Sequence, residues 1–129
     1  MSFSDSLGIL SSGLRGQARR LQHVSENIAN ADTPGYRRKS VEFREEVSGG
    51  RRSGAVELGR IHLDQSPRER IYAPDHPMAD ETGYYDGSNV DLAIEVADAR
   101  AAQRAYEAGL KTFEQIRRMS SDLTDILKR

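Results

Sequence analysis

Cysteine and tryptophan are absent from this 129-residue chain, and there are only three phenylalanines and four prolines. Without cysteine there is no disulfide framework, no thiolate-bound zinc and no thiol nucleophile. The compartment stays open, because such a chain suits a reducing cytosol and an oxidising exterior alike. Aromatic residues make up 6% and hydrophobic residues 36%, against 30% charged, which is less apolar material than a self-contained globule draws on. That shortage predicts an elongated helical protein that buries its surface against partners. The charges are of both signs and interspersed, which argues against wholesale disorder. No apolar run approaches the roughly 20 residues that span a bilayer, so no direct membrane insertion is expected. Met1-Ser2-Phe3-Ser4-Asp5 opens without the basic and apolar regions of a cleavable secretory signal.

Net charge is −1, which provides no general attraction to nucleic acid or anionic membrane. Residues 1–71 carry 12 basic and 9 acidic groups, or +3, and residues 72–129 carry 7 basic and 11 acidic groups, or −4. Between Tyr72 and Asp91 there are five acids (Asp75, Asp80, Glu81, Asp86, Asp91) and no Lys or Arg. This asymmetry favours head-to-tail packing of copies without establishing it.

What the chain does have is heptad periodicity at both ends. Phe3, Leu7, Leu10, Leu14, Leu21, Val24, Ile28 and Ala31 recur at alternating spacings of four and three, with Gln17 in the vacant slot. One helix needs this pattern to keep a single face against another. Ser2 or Ser4 caps its start, with Asp5 near the positive end of the dipole. Gly8, Gly13 and Gly16 each cost about 1 kcal/mol relative to Ala in a helix interior. The segment is therefore expected to be poorly ordered in the free monomer and helical once packed, with the glycines letting neighbours approach closely. A second helix is predicted from a Ser88 or Asn89 cap to about Leu127. Its seam runs through Leu92, Val96, Ala99, Gln103, Tyr106, Leu110 and Phe113, then slips by one to Ile116, Met119, Leu123 and Ile126. Ile9, Ala108 and Leu127 lie off the seams, so a bundle shared between chains is the simplest cover.

Between the helices stands Asn27-Ile28-Ala29-Asn30-Ala31-Asp32-Thr33-Pro34-Gly35-Tyr36. Asn30 is expected to stop the first helix, since Asn tolerates the left-handed conformation common at helix ends. Asp32 can bond the backbone locally, and Thr33-Pro34-Gly35-Tyr36 predicts a tight turn with φ > 0 at Gly35. Strand character follows at 36–43 and 55–63, with a bulge at Gly59 and a mobile loop over the glycine-rich 48–54. Arg70-Ile71-Tyr72 reads as a third short strand, followed by an extended path through Pro74, Pro77 and Gly83. The expected architecture is mainly α with a small β-rich middle. Two long terminal helices form a coiled coil or inter-subunit bundle, joined by a hairpin-like and extended segment. The boundaries are 1–32, 33–87 and 88–129.

Candidate chemistry is sparse. His23 is expected on the surface, His62 facing solvent, and His76 among Asp75, Asp80 and Glu81 without the fixed ligand spacing of a metal loop. Arg37-Arg38-Lys39 beside Tyr36 reads as a solvated strand edge, not a nucleic-acid site. Neither Ser11-Ser12-Gly13 nor Gly87-Ser88-Asn89 has the strand-to-helix setting of a nucleophile elbow. No enzyme activity, cofactor, metal or small-molecule substrate is indicated.

The two heptad helices, the Asn-Ile-Ala-Asn-Ala-Asp-Thr-Pro-Gly-Tyr run and nearly the whole chain resemble the bacterial flagellar rod, hook and hook-filament-junction proteins. Ile71 to Asp80, Gly83-Tyr84, Ser88 to Asp91 and Ala101 to Ala108 are most similar to the C-type proximal rod proteins. The short turn at Thr33-Pro34-Gly35 keeps the B-type proximal rod proteins as an alternative, and a soluble helical adaptor outside the flagellum is a third reading. The resemblance implies a structural subunit of the torque-transmitting rod that crosses the periplasm. It also implies export by the flagellar type III apparatus without a cleaved signal. Partners would be copies of itself, other rod proteins and neighbouring basal-body components. The expected assembly interface comprises Leu7, Leu10, Leu14, Leu21, Val24, Ile28, Leu92, Val96, Tyr106, Leu110, Phe113, Ile116 and Leu123. Asn27, Asn30, Asp32, Thr33, Pro34, Gly35 and Tyr36 form the hinge between helix and β-rich part.

Overall fold

A computed structural model describes all 129 residues. Helix α1 spans Phe3–Ala29. Ser2 Oγ accepts from the Asp5 N–H at 3.1 Å while the Asp5 carboxylate accepts from the Ser2 N–H at 3.0 Å, a reciprocal capping box. The helix stops at Asn30 as expected, but in a different conformation: φ is −106° and ψ 14°, not left-handed. Asn30 instead caps through its side chain, whose Nδ2 donates to the Glu26 carbonyl at 2.9 Å.

Helix α2 spans Leu92–Leu127. Its cap is Asp91, which accepts from the Ala93 N–H at 3.0 Å, and not Ser88 or Asn89. Those two side chains are engaged elsewhere, in tertiary bonds to the turn after α1 and to the β-rich middle. The helices run antiparallel, with Asn27 meeting Glu95, Arg20 meeting Asp98 and Leu14 meeting Gly109. The side of α2 that faces α1 follows Glu95, Ala99, Ala102, Tyr106, Gly109, Phe113, Ile116 and Ser120, all buried or half-buried. The spacing is four and three throughout, so the expected slip after Phe113 does not occur. Sequence reading follows the large apolar residues, whereas close approach of two helices selects small ones. Leu14 shows this, lying 3.1 Å from where a Cβ on Gly109 would stand.

Strands β1 (Lys39–Ser48) and β2 (Arg51–Leu63) form an antiparallel hairpin. The segment expected to be a mobile loop is a two-residue turn, Gly49-Gly50, with φ of 58° and 77°. Positive φ at both positions matches the right-handed twist of the flanking strands, so pairing continues to the tip. The bulge expected at Gly59 is present, since Val41 pairs with Ile61 and Phe43 with Leu58. The hairpin lies along α1 on the side away from α2. Gly16 admits the Phe43 ring, 3.2 Å from a notional Cβ, and Ser12 Oγ accepts from the Val56 N–H at 2.9 Å. Ile9, unassigned by its helical position, is covered here, beside Gly54. Of the three glycines in α1, only Gly16 has a neighbour that needs the space.

Strands β3 (Arg70–Tyr72) and β4 (Tyr84–Asp86) make a second small sheet. The third strand was expected; its partner β4 was not distinguished from extended chain. Helix α1 is thus the middle layer, between α2 and the hairpin. Only 10 of the 129 residues are buried, and the buried hydrophobic side chains are Val24 and Ala102 alone. The chain has no self-contained core, in keeping with its composition.

Candidate functional site

The three layers are joined at one end, where α1 passes into the hairpin and α2 begins. Tyr36 N–H donates to the Thr33 carbonyl at 3.2 Å, which closes the turn over Pro34-Gly35. Gly35 has φ +76°, as the turn requires. Its N–H is shared between the Asp86 and Gly87 carbonyls at 3.1 Å each, and its carbonyl accepts from Arg68 Nη1 at 2.9 Å. Thr33 Oγ1 donates to Asn30 Oδ1 at 3.0 Å, and Asp32 is exposed.

Asn27 is fully buried at the centre of this junction. Its Nδ2 donates to the Lys39 carbonyl at 2.9 Å and to Glu95 Oε2 at 3.2 Å. Its Oδ1 accepts from Tyr36 Oη at 2.8 Å and the Lys39 N–H at 2.9 Å. Both amide protons and both acceptor directions are used, the complete set for an Asn side chain. One residue thereby fixes α1 to the turn, to the first residue of β1 and to α2. Burial raises the Tyr36 phenol pKa above its ordinary value.

Glu95 is fully buried as well, and its second oxygen accepts from Arg38 Nε. Arg38 Nη2 reaches Asp98 at 2.7 Å, and Arg20 approaches the other Asp98 oxygen at 3.1 Å. Burial alone would lower the Arg38 pKa; the Glu95 hydrogen bond and the charges of Glu95 and Asp98 outweigh it and raise the value. A buried carboxylate is tolerated only when paired and hydrogen-bonded on its remaining lone pairs, as here. Lys39 Nζ donates to Glu26 at 3.1 Å, and this hydrogen bond lowers the Glu26 pKa. The segment expected to be a solvated edge thus turns inward at Arg38, because α2 presents two carboxylates to it.

Asn89 ties down the hairpin root. Its Oδ1 accepts from the Arg38 N–H at 2.7 Å, and its Nδ2 donates to the Asp64 carbonyl at 2.9 Å. Ser88 Oγ donates to the Ala31 carbonyl. Hydrogen bonds from the Ser66 side chain and N–H lower the Asp64 pKa.

His23 is buried, not exposed as expected, with both ring nitrogens lacking a hydrogen bond and Nδ1 3.6 Å from Glu26. The hairpin covers the face of α1 that helical periodicity alone leaves open. His62 is exposed, and His76 stacks on Tyr85 with ring centroids 4.0 Å apart.

The expected interface residues divide into two groups. Val24 is buried, and Leu7, Leu10, Leu14, Leu21, Tyr106, Phe113 and Ile116 are half-buried between the layers. Ile28, Leu92, Val96, Leu110 and Leu123 are exposed. Arg38, Asn89, Glu95 and Asp98 escaped sequence reading. The available signal was acid at 95 and 98 beside small Ala99 and Ala102, where charge is out of place on a helix-facing side.

Two family models match the chain. "Flagella basal body rod protein" covers residues 7–37, which includes the Asn27–Tyr36 junction. "Flagellar basal body rod FlgEFG protein C-terminal" covers residues 81–126, which includes most of α2. The chain is 42% identical to the flagellar basal-body rod protein FlgC of Agrobacterium fabrum, over 93% of this chain and 91% of the relative. It is 30% identical to FlgC of Salmonella typhimurium, over 92% and 93% respectively. It is also 30% identical to FlgC of Borreliella burgdorferi, over 99% of both.

Proposed function

The chain belongs to the FlgC family of flagellar basal-body rod proteins, and on that premise we propose how it is built into the rod. It is a structural subunit of the bacterial flagellar basal body and not an enzyme. In our reading it occupies the proximal rod and transmits torque across the periplasm. Its partners are copies of itself, other rod proteins and neighbouring basal-body components. It reaches them through the flagellar type III export apparatus without a cleaved signal. No helix is long and apolar enough to cross a membrane.

One observation carries this reading. The buried hydrophobic side chains are only Val24 and Ala102, while Leu92, Val96, Leu110 and Leu123 are exposed along α2. A chain that folds with so little core and leaves such side chains exposed gains stability when other helices cover them. The polar clamp fixes the angle at which α2 is offered, and Asn27 to Tyr36 acts as the hinge between the helix pair and the β-rich layer.

Leu110→Asp tests it. Leu110 is exposed, and Leu14 lies against α2 within the chain, so Leu110 separates assembly from folding better than Leu14 does. The variant is expected to be expressed and exported normally, and to abolish swimming and rod completion. Normal swimming would overturn the reading.

A further inference from the structure

One polar side chain at the junction takes no part in its bonding. His23 is 5% exposed, and neither ring nitrogen has a hydrogen-bond partner. A buried polar group left unbonded costs free energy, so the imidazole gains from any partner it acquires. Its ring lines a cavity of about 340 Å³ between α1, the root of β1 and α2, together with Val24, Val41 and Phe43.

The charged groups around His23 come from three elements. Helix α1 supplies Arg20 and Glu26, the hairpin root supplies Arg38 and Lys39, and α2 supplies Asp98, with Glu95 behind Arg38. Strand β2 adds none to the cavity wall, and Arg19 is exposed and bonded to Gln22. Arg20, Arg38 and Lys39 are matched by Asp98, Glu95 and Glu26 in ion pairs. Three cations meet three carboxylates, and the balance holds while the imidazole is neutral.

Glu26 is where a proton on His23 is felt. His23 Nδ1 stands 3.6 Å from Glu26 Oε2, the same oxygen that accepts from Lys39 Nζ at 3.1 Å. The Lys39 hydrogen bond foremost, and His23 in the same direction, hold the Glu26 pKa below its ordinary value. Glu26 is therefore a carboxylate throughout the range in which imidazoles gain a proton, about pH 8 to 5. An imidazolium there is a fourth cation against three carboxylates. Arg20 and Arg38 both bind Asp98, and Arg38 is held by buried Glu95 as well. Lys39 has Glu26 as its one partner and is only half-buried, so its flexible stem can carry the ammonium into water. Lys39 is the cation that yields.

We propose that His23 and Lys39 exchange places on Glu26: acidification replaces the Lys39–Glu26 tie with a His23–Glu26 pair and loosens the hairpin root from α1. At neutral pH the tie is closed. As pH falls through the imidazole range the Lys39 side chain is released, while the Asn27 bonds to the Lys39 backbone and the Arg38–Glu95 pair keep the rest of the clamp. The device acts within one chain and does not depend on the rod reading.

The test uses the purified full-length chain. The imidazole proton signals in NMR follow the titration of each histidine, and amide hydrogen exchange is read as protection factors, which remove the intrinsic pH dependence of exchange. Protection across Lys39 to Val41 should fall at least about tenfold between about pH 7.5 and 5.5, with the midpoint of the His23 titration. Amides of α2 around Glu95 should keep theirs. His23→Phe should hold the neutral-pH protection at both pH values, and His62→Gln with His76→Gln should behave as the wild type. Loss of protection in His23→Phe, or none in the wild type, would overturn the exchange. If circular dichroism shows His23→Phe to be unfolded, Lys39→Met decides, since it keeps the stem without the charge. It should show at neutral pH the low protection that the wild type reaches in acid, with no further fall. A Lys39→Met chain that still loses protection on acidification would refute the proposal.

Discussion

At the scale of single residues, the junction is governed by buried polar groups bonded to one another. Glu95 is fully buried and bonded to Asn27 and Arg38. Glu95→Ala leaves an amide proton and a guanidinium short of an acceptor, and is expected to destabilise the fold by about 3 kcal/mol in urea denaturation. A change below about 1 kcal/mol would show that Asp98 alone satisfies Arg38. Gly35 has φ +76°, where a β-branched residue is strained by about 2 kcal/mol. Gly35→Val should therefore impair rod assembly more than expression, measured as subunit recovered in basal bodies against subunit in whole cells. Asp80 accepts from Thr82 Oγ1 at 2.6 Å, the Tyr84 N–H at 3.1 Å and Arg70 at 2.9 Å. These bonds, the Thr82 one foremost, hold its carboxyl far below the usual range. Its folded pKa lies below the unfolded value of about 3.9. Its contribution to the β3–β4 sheet is therefore complete at neutral pH and is lost as pH falls below about 4. Near-ultraviolet circular dichroism of the Tyr72–Tyr84 pair should show this acid loss in the wild type and a flatter profile in Asp80→Asn.

At the scale of elements, glycine separates helix propensity from packing. A Cβ at Gly8 or Gly13 meets nothing within 4 Å, whereas at Gly16 it stands 3.2 Å from Phe43. Gly8→Ala and Gly13→Ala should each stabilise the free chain by up to about 1 kcal/mol. Gly16→Ala should gain less, because Phe43 has to shift. Thermal unfolding followed at 222 nm ranks the three, and equal gains would contradict the hairpin's position on α1. The terminal helices and the turn at Pro34-Gly35 were legible because heptad spacing and turn chemistry are local. The Gly59 bulge was legible for the same reason. The inward faces were not: α1 is covered on two sides, so periodicity that assumes one partner misplaced His23. In α2 the small residues Ala99, Ala102 and Gly109 alternate with Tyr106, Phe113 and Ile116 along the contact, while Leu92, Val96 and Leu110 stay exposed. Glu95 and Arg38 meet across 57 positions of sequence, and no local pattern announces such a pairing.

At the scale of the whole molecule, the distribution of bonds is uneven along its length. The polar clamp joins all three layers at one end. Towards the N-terminus of α1 the contacts are fewer, Ser12 to Val56 and Ile9 beside Gly54 among them, and α2 continues alone. Amide hydrogen exchange should therefore be slowest around Asn27, Arg38 and Glu95, and faster by orders of magnitude towards Phe3 and Leu127. Uniform protection along α1 would contradict this gradient. The long hairpin and the two helices then behave mechanically like three tines rooted in one handle. A sideways load on their free ends bends the tines and leaves the handle intact. A drive shaft assembled from such pieces would have compliance between its subunits and stiffness within each root, so that a sudden reversal of rotation is absorbed elastically before any subunit contact has to break.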